Sequence, residues 1–297
     1  MIPGVLPALG AAVTFAVFQI VNARILSRTD VYLATRTVLI VGTVALGSIT
    51  IVTDGFGPWS QASPRALLMS GAAGMLHFFL GWTLLGMGQQ RIGAARTGAL
   101  LGAVPLFGAL SAWVLLGERL VAGQVVGLLV VTAGVGVIAT ATGASRTVGN
   151  RGTVAGVAAA LGTALCWALS PTFIREALVE LPSPSAAATV GLFTSAVLYT
   201  ALIRIVRRGA GPRLDGTGLS GMFGLGGLLV AVALWLQWTA FERTAVATVL
   251  VTLQLTPALM PMLARLAGLA GDAVRMLPVY AGVVGIVSGS LLVILLG

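Results

Sequence analysis

Sliding this 297-residue chain along itself by 152 positions lays apolar span upon apolar span through both halves. Each half must therefore build the same set of elements. Those elements are uncharged runs of about 20 residues, the length an α-helix needs to cross about 30 Å of hydrocarbon. Ten such runs can be cut at charged or Pro/Gly-rich breaks, approximately 4–24, 31–52, 66–87, 94–116, 121–142, 153–173, 186–206, 217–239, 245–267 and 277–296. An open sheet would leave its edge N–H and C=O groups unpaired in lipid, so the spans are helices. An odd number of spans per half forces the halves, 1–145 and 146–297, into opposite orientations. The expected fold is an all-α integral membrane protein of ten transmembrane helices, arranged as two inverted five-helix repeats.

The solvent is legible in the composition. Hydrophobic residues make up 58% of the chain, charged residues 8%, and mean hydropathy is +1.04, far from the balance of a water-soluble domain. All eight carboxylates stand at or beside breaks between apolar runs, as do most of the seventeen basic residues, every one an arginine. A sequence pI near 11.5 would suggest nucleic acid in a soluble chain; here charge marks the membrane edges, and the partner is the bilayer. The single cysteine, Cys166, excludes an intrachain disulfide, and no Cys/His cluster suggests a metal or cofactor. The first apolar run lacks a basic leader and runs straight into further spans, so it is read as the first helix rather than a signal peptide.

Two rare coincidences at the 152-residue offset carry more weight than matched Ala, Leu or Gly: Arg91 with Arg243, and Pro105 with Pro257. Each proline sits near the middle of a span and frees the carbonyl four residues back, at Leu101 and Leu253. Matching midplane breaks in two repeats point to a substrate site in secondary transporters; the competing reading is an ordinary packing kink.

In the first half, Gly88-Gln-Gln-Arg-Ile-Gly-Ala-Ala95 is followed by Pro105, then Gly117-Glu-Arg-Leu120, then Gly127 and Gly134. This pattern resembles the EamA-type ten-helix branch of the drug/metabolite transporter superfamily. The resemblance implies a basket of helices around a central cavity lined by the first, third, fourth, sixth, eighth and ninth spans. The second half departs from it, reading Leu269-Ala-Gly-Asp-Ala273 where a Gly-Glu turn would stand, so Glu118 is carried over as a turn residue without a counterpart. The fifth and tenth spans independently carry small-residue faces, Gly123-x-x-x-Gly127 and Gly285-x-x-x-Gly289, suited to close helix approach. That motif does not distinguish pairing within one chain from a homodimer.

His77 is the one titratable side chain plainly at mid-membrane, and the candidate proton carrier. Its alternative role is a neutral imidazole bridging two helices. The other candidate cavity residues are Gln19, Asn22, Trp82, Pro105, Trp167, Ser170, Trp235, Gln254 and Pro257, because amides, hydroxyls and indoles in hydrocarbon are costly unless they face the bundle interior. Trp238, beside Glu242 and Arg243, reads as an interfacial anchor. No carboxylate stands in the first span, which disfavours the glutamate-driven cation antiport of small four-helix relatives. His77 with Cys166 is the one conceivable catalytic pair, without a supporting motif, so no enzyme is expected.

Thirteen arginines gather at the breaks after the odd-numbered spans, including Arg24, Arg28, Arg36, Arg91, Arg96, Arg146, Arg151, Arg204 and Arg265, against Arg65, Arg119, Arg175 and Arg243 on the other side. The positive-inside rule then puts both termini outside the cytoplasm, whereas the family habit implies termini inside. The expected function is a plasma-membrane secondary transporter of a small organic solute such as an amino acid, metabolite or drug-like compound. The alternative is a membrane scaffold or partner subunit that transports nothing.

Overall fold

A computed structural model describes residues 3–26, 28–92, 94–142, 150–206, 219–266 and 276–296. Regular structure among them is entirely helical: α1 (Val5–Leu26), α2 (Val31–Asp54), a short α3 (Gly57–Gln61), α4 (Pro64–Gly74) running through a π-helical segment (Met75–Leu80) into α5 (Gly81–Ile92), α6 (Ala94–Leu101), α7 (Val104–Leu116), α8 (Ala122–Thr142), α9 (Asn150–Glu180), α10 (Pro184–Val206), α11 (Leu219–Arg243), α12 (Val246–Leu253), α13 (Leu255–Leu266) and α14 (Met276–Leu296). Seven helical stretches are long and apolar enough to cross a membrane: α1, α2, the continuous Pro64–Ile92 stretch, α9, α10, α11 and α14. Val104–Leu116, Ala122–Ile138 and Val246–Met260 are apolar but shorter.

Local chemistry sets the helix ends. The Asp30 carboxylate accepts from the backbone N–H groups of Tyr32 and Leu33, and the Ser63 hydroxyl accepts from Ala66 with Pro64 behind it, so α2 and α4 start on side-chain caps. α7 stops where Gly117 takes a left-handed φ of 70°, a conformation that a side chain would strain. The sixth and eighth expected spans are longer than read, at Asn150–Glu180 and Leu219–Arg243. Two expected spans differ in kind. The 94–116 stretch is divided into α6 and α7 at Gly102 and Ala103, and the 245–267 stretch into α12 and α13 at Gln254.

The bundle packs α1 against α11, α12 and α13; α9 against α4, α5, α6 and α7; α2 against α10 and α11; and α8 against α14. Close approach is made by glycines. A Cβ on Gly127 would fall 2.6 Å from the Gly289 carbonyl oxygen, and one on Gly134 would fall 2.7 Å from that of Gly282, so α8 and α14 touch backbone to backbone within the chain. Gly74 of α4 likewise meets the backbone of Gly191 in α10. The largest buried cluster runs through the middle of the bundle and includes Phe18, Phe78, Leu192, Tyr199, Val230 and Phe241. Trp238 belongs to it at 2% exposure, so it is a core residue rather than the expected interfacial anchor. The helical register explains why: Trp235 and Trp238 are three residues apart, but the seam between α1, α2 and α11 runs along the Leu234, Trp238 and Phe241 stripe.

Candidate functional site

Three of the candidate residues, His77, Trp167 and Ser170, meet where the π-helical segment crosses α9. The imidazole of His77 stacks on the indole of Trp167, with ring centroids 5.5 Å apart and planes 17° from parallel. Three hydrogen bonds close a ring between the two helices. Trp167 Nε1–H donates to the His77 carbonyl at 2.9 Å, the Ser170 hydroxyl donates to the Trp167 carbonyl at 3.3 Å, and Ser170 Oγ lies 3.0 Å from His77 Nδ1. The direction of the last bond follows the tautomer: a Ser170 hydroxyl that donates to Trp167 accepts from Nδ1–H, and Nε2 of a neutral ring is then an acceptor.

Backbone defects on both helices create this ring. Pro171, inside α9, removes the N–H that would have bonded the Trp167 carbonyl, and Ser170 takes its place. On the other side, carbonyls of the π turn and its edge accept from side chains. The His77 carbonyl receives Trp167, while Tyr199 Oη–H reaches the Phe78 and Phe79 carbonyls at 3.4 and 3.5 Å and Thr83 donates to Phe79. Every one of these acceptors would be costly if left bare in hydrocarbon. Trp82 lies one turn beyond His77, stacked on Phe18 of α1 at 6.0 Å and edge-on to Phe78 at 5.4 Å.

Pro105 and Pro257 follow the two helix breaks. Gly102 and Gln254, where the helices are interrupted, are themselves 152 residues apart. Polar side chains of the neighbouring helices reach the backbone beside each break: Thr132 Oγ1 of α8 donates to the Gly102 carbonyl at 2.8 Å, and Ser290 Oγ of α14 donates at 3.2 Å to the Val251 carbonyl, which also accepts the Gln254 N–H. Thr256, beside the second break, donates to the Ala12 carbonyl of α1 at 3.1 Å. Gln19 and Asn22 are half-buried on α1.

Trp235 stands apart from these residues. At 36% exposure it lines a cleft of about 430 Å³ with Asp54, Ser183, Ser185, Glu242 and Arg243, at the end of the bundle that also carries Glu118, Glu176 and Glu180. Polar contacts between the halves of the chain concentrate at this carboxylate end. Asp54 accepts from Ser183 at 2.7 Å and Ser185 at 3.3 Å, Ser63 donates to Glu180, and Arg65 pairs with Glu176 at 2.6 Å. Glu118 does more than shape a turn. Both its oxygens lie 3.2 Å from the backbone nitrogen of Val246, capping the N-terminus of α12, where the N-cap residue Ala245 supplies no side-chain acceptor. Arg175 donates to the Phe241 and Thr244 carbonyls and so holds the other side of the same α11–α12 corner.

Sequence reading missed Phe18, Phe78 and Tyr199, whose aromatic character is common in any core, and Pro171, which stands near the end of the span as read from hydropathy. The π turn had no signal beyond the flanking Gly74 and Gly81. The loop residues Arg146 and Asp272 lie outside the described residues.

Residues 2–140 match the model of the EamA-like transporter family. No curated protein matches the chain. Among solved structures, the crystal structure of a protein 20% identical to this one superposes with a TM-score of 0.80, covering 99% of this chain and 96% of that one.

Proposed function

Because residues 2–140 of this multi-pass membrane protein match the model of the EamA-like transporter family, we propose that the whole chain is a secondary transporter of the drug/metabolite transporter superfamily that moves a small organic solute across the plasma membrane by alternating access. Ten spans then form two inverted repeats, 1–145 and 146–297, with α6–α7 and α12–α13 each counted as one broken span. The observation that carries this reading is the pair of helix breaks at Gly102 and Gln254, at one offset, each with a hydroxyl of the following span donating to a carbonyl at or just before it. The packing supports it as well: α1 on α11 mirrors α9 on α5, α2 on α11 mirrors α10 on α4, and the Gly127–Gly289 contact mirrors Gly282–Gly134.

In this reading the solute sits between α1, the His77 segment, α9 and the two breaks. Trp82 and Trp167 flank it, Nε2 of His77 and the amides of Gln19, Asn22 and Gln254 orient it, and Trp235 meets it at the carboxylate end. The polar latches across the halves close that end in the present conformation. The arginine count makes the opposite end cytoplasmic and places both termini outside. His77 carries the coupling proton if transport is proton-linked.

The test is uptake by purified protein in liposomes, from a mixed pool of amino acids and metabolites, under imposed pH and solute gradients, with mass spectrometry of the lumen. Accumulation or exchange of a solute above protein-free liposomes is expected. If no solute moves under any gradient, the scaffold reading replaces this one.

A further inference from the structure

On the outer face of the bundle, α2 and α10 leave an apolar groove of about 500 Å³ between them, floored and walled by Ile40, Val44, Phe193 and Val197 and ending at Arg204. The wall residues are unusually bare for a packed helix pair, with Val44 64% and Phe193 58% exposed. From Phe193 to Arg204 the groove follows α10 for 11 residues, about 16 Å at 1.5 Å per residue. That is about half of the ~30 Å hydrocarbon thickness, the depth of a single leaflet.

Charge closes one end. Arg204 stands in the last turn of α10 and lines the end of the groove, and Arg36 lies one turn before Ile40 on the same stripe of α2, just beyond the lining. Arg36 Nε is buried and has no hydrogen-bond partner, and neither arginine pairs with a carboxylate among the described residues. Asp30, the carboxylate that begins α2, accepts from the backbone N–H groups of that helix.

We propose that this groove is a binding site for one acyl chain of an anionic glycerophospholipid, whose phosphate is held between Arg36 and Arg204. An acyl chain matches the apolar walls and the one-leaflet length, and a phosphodiester supplies the acceptor that the two guanidinium groups lack. The site is independent of the transport reading: it faces the lipid, and uses none of the residues around His77. It gives the chain a lipid-composition dependence that neither its hydropathy nor its cavity residues contain.

Native mass spectrometry of the full chain, released from detergent after incubation with phosphatidylglycerol or phosphatidylcholine of identical chains, tests this directly. Two arginine contacts at about fivefold each predict on the order of 30-fold preference for phosphatidylglycerol. R36Q/R204Q should remove that preference while leaving phosphatidylcholine retention unchanged. V197W, which fills the groove, should reduce retention of both lipids. Unchanged elution and thermal unfolding of each variant exclude misfolding as the cause. Equal retention of the two lipids by the wild-type chain would overturn the proposal, as would a preference that survives R36Q/R204Q. So would sn-glycerol 3-phosphate alone competing as well as the lipid. A dimeric mass with V197C forming a disulfide between copies would assign the groove to a second copy of the chain instead.

Discussion

Removing the Glu118 carboxylate should open the carboxylate end of the bundle. Glu118 projects from the turn after α7 and presents both oxygens, at 3.2 Å, to the Val246 N–H at the start of α12, a helix of eight residues with no cap of its own. Loss of a helix cap costs about 1 kcal/mol, and loss of a negative charge at a helix N-terminus about 0.3–1 kcal/mol more. The side chain is half-buried, so screening by water is incomplete and the sum of about 1–2 kcal/mol stands. Because the contact joins the two halves, under the proposed alternating access that energy acts on the equilibrium between latched and opened states and raises the opened population about 5–30-fold for Glu118→Ala. Glu118→Gln keeps an acceptor and loses only the charge, so it should fall between wild type and alanine. The assay is the labelling rate of Thr248→Cys by a thiol reagent, in a Cys166→Ala background. Thr248 lies on α12 just past the cap and is 3% exposed, so it reacts only when this corner opens. A labelling rate for Glu118→Ala within twofold of wild type would refute the argument and reduce Glu118 to a turn residue.

Three further outcomes are expected. His77→Gln retains hydrogen bonding to Ser170 but not titration, so in liposomes a proton-coupled carrier should lose accumulation driven by a pH gradient and keep solute exchange; intact gradient-driven accumulation would leave His77 as a bridge between helices. Gly74→Ala should cost about 1–3 kcal/mol, because its Cβ meets the Gly191 backbone, while Gly136→Ala, with nothing within 4 Å, should be neutral or slightly stabilising; thermal unfolding in one detergent compares the two. A cysteine at the exposed Ser60 of α3, in a Cys166→Ala background, should react with a membrane-impermeant reagent on intact cells, and protection there would support termini inside.

The helical, membrane-embedded character of the chain was determined by sequence alone, because apolar length and the absence of charge are local properties that lipid enforces on every span. The helix breaks at depth were also local, signalled by Pro105 and Pro257. So was the pairing surface of the fifth and tenth expected spans, where glycine spacing leaves room for another backbone. Tertiary structure decided the rest. His77 and Ser170 are 93 residues apart, and nothing in either span announces that a proline defect in α9 would turn Ser170 to the Trp167 carbonyl and bring it against the His77 ring. Trp235 and Trp238, three residues apart, parted company because only packing decides which stripe of α11 faces the seam. Glu118 looked like a turn residue since its acceptor role depends on Val246, 128 positions away. Hydropathy is a property of one residue in one solvent, but a buried hydrogen bond needs two groups, and the second is chosen by the fold.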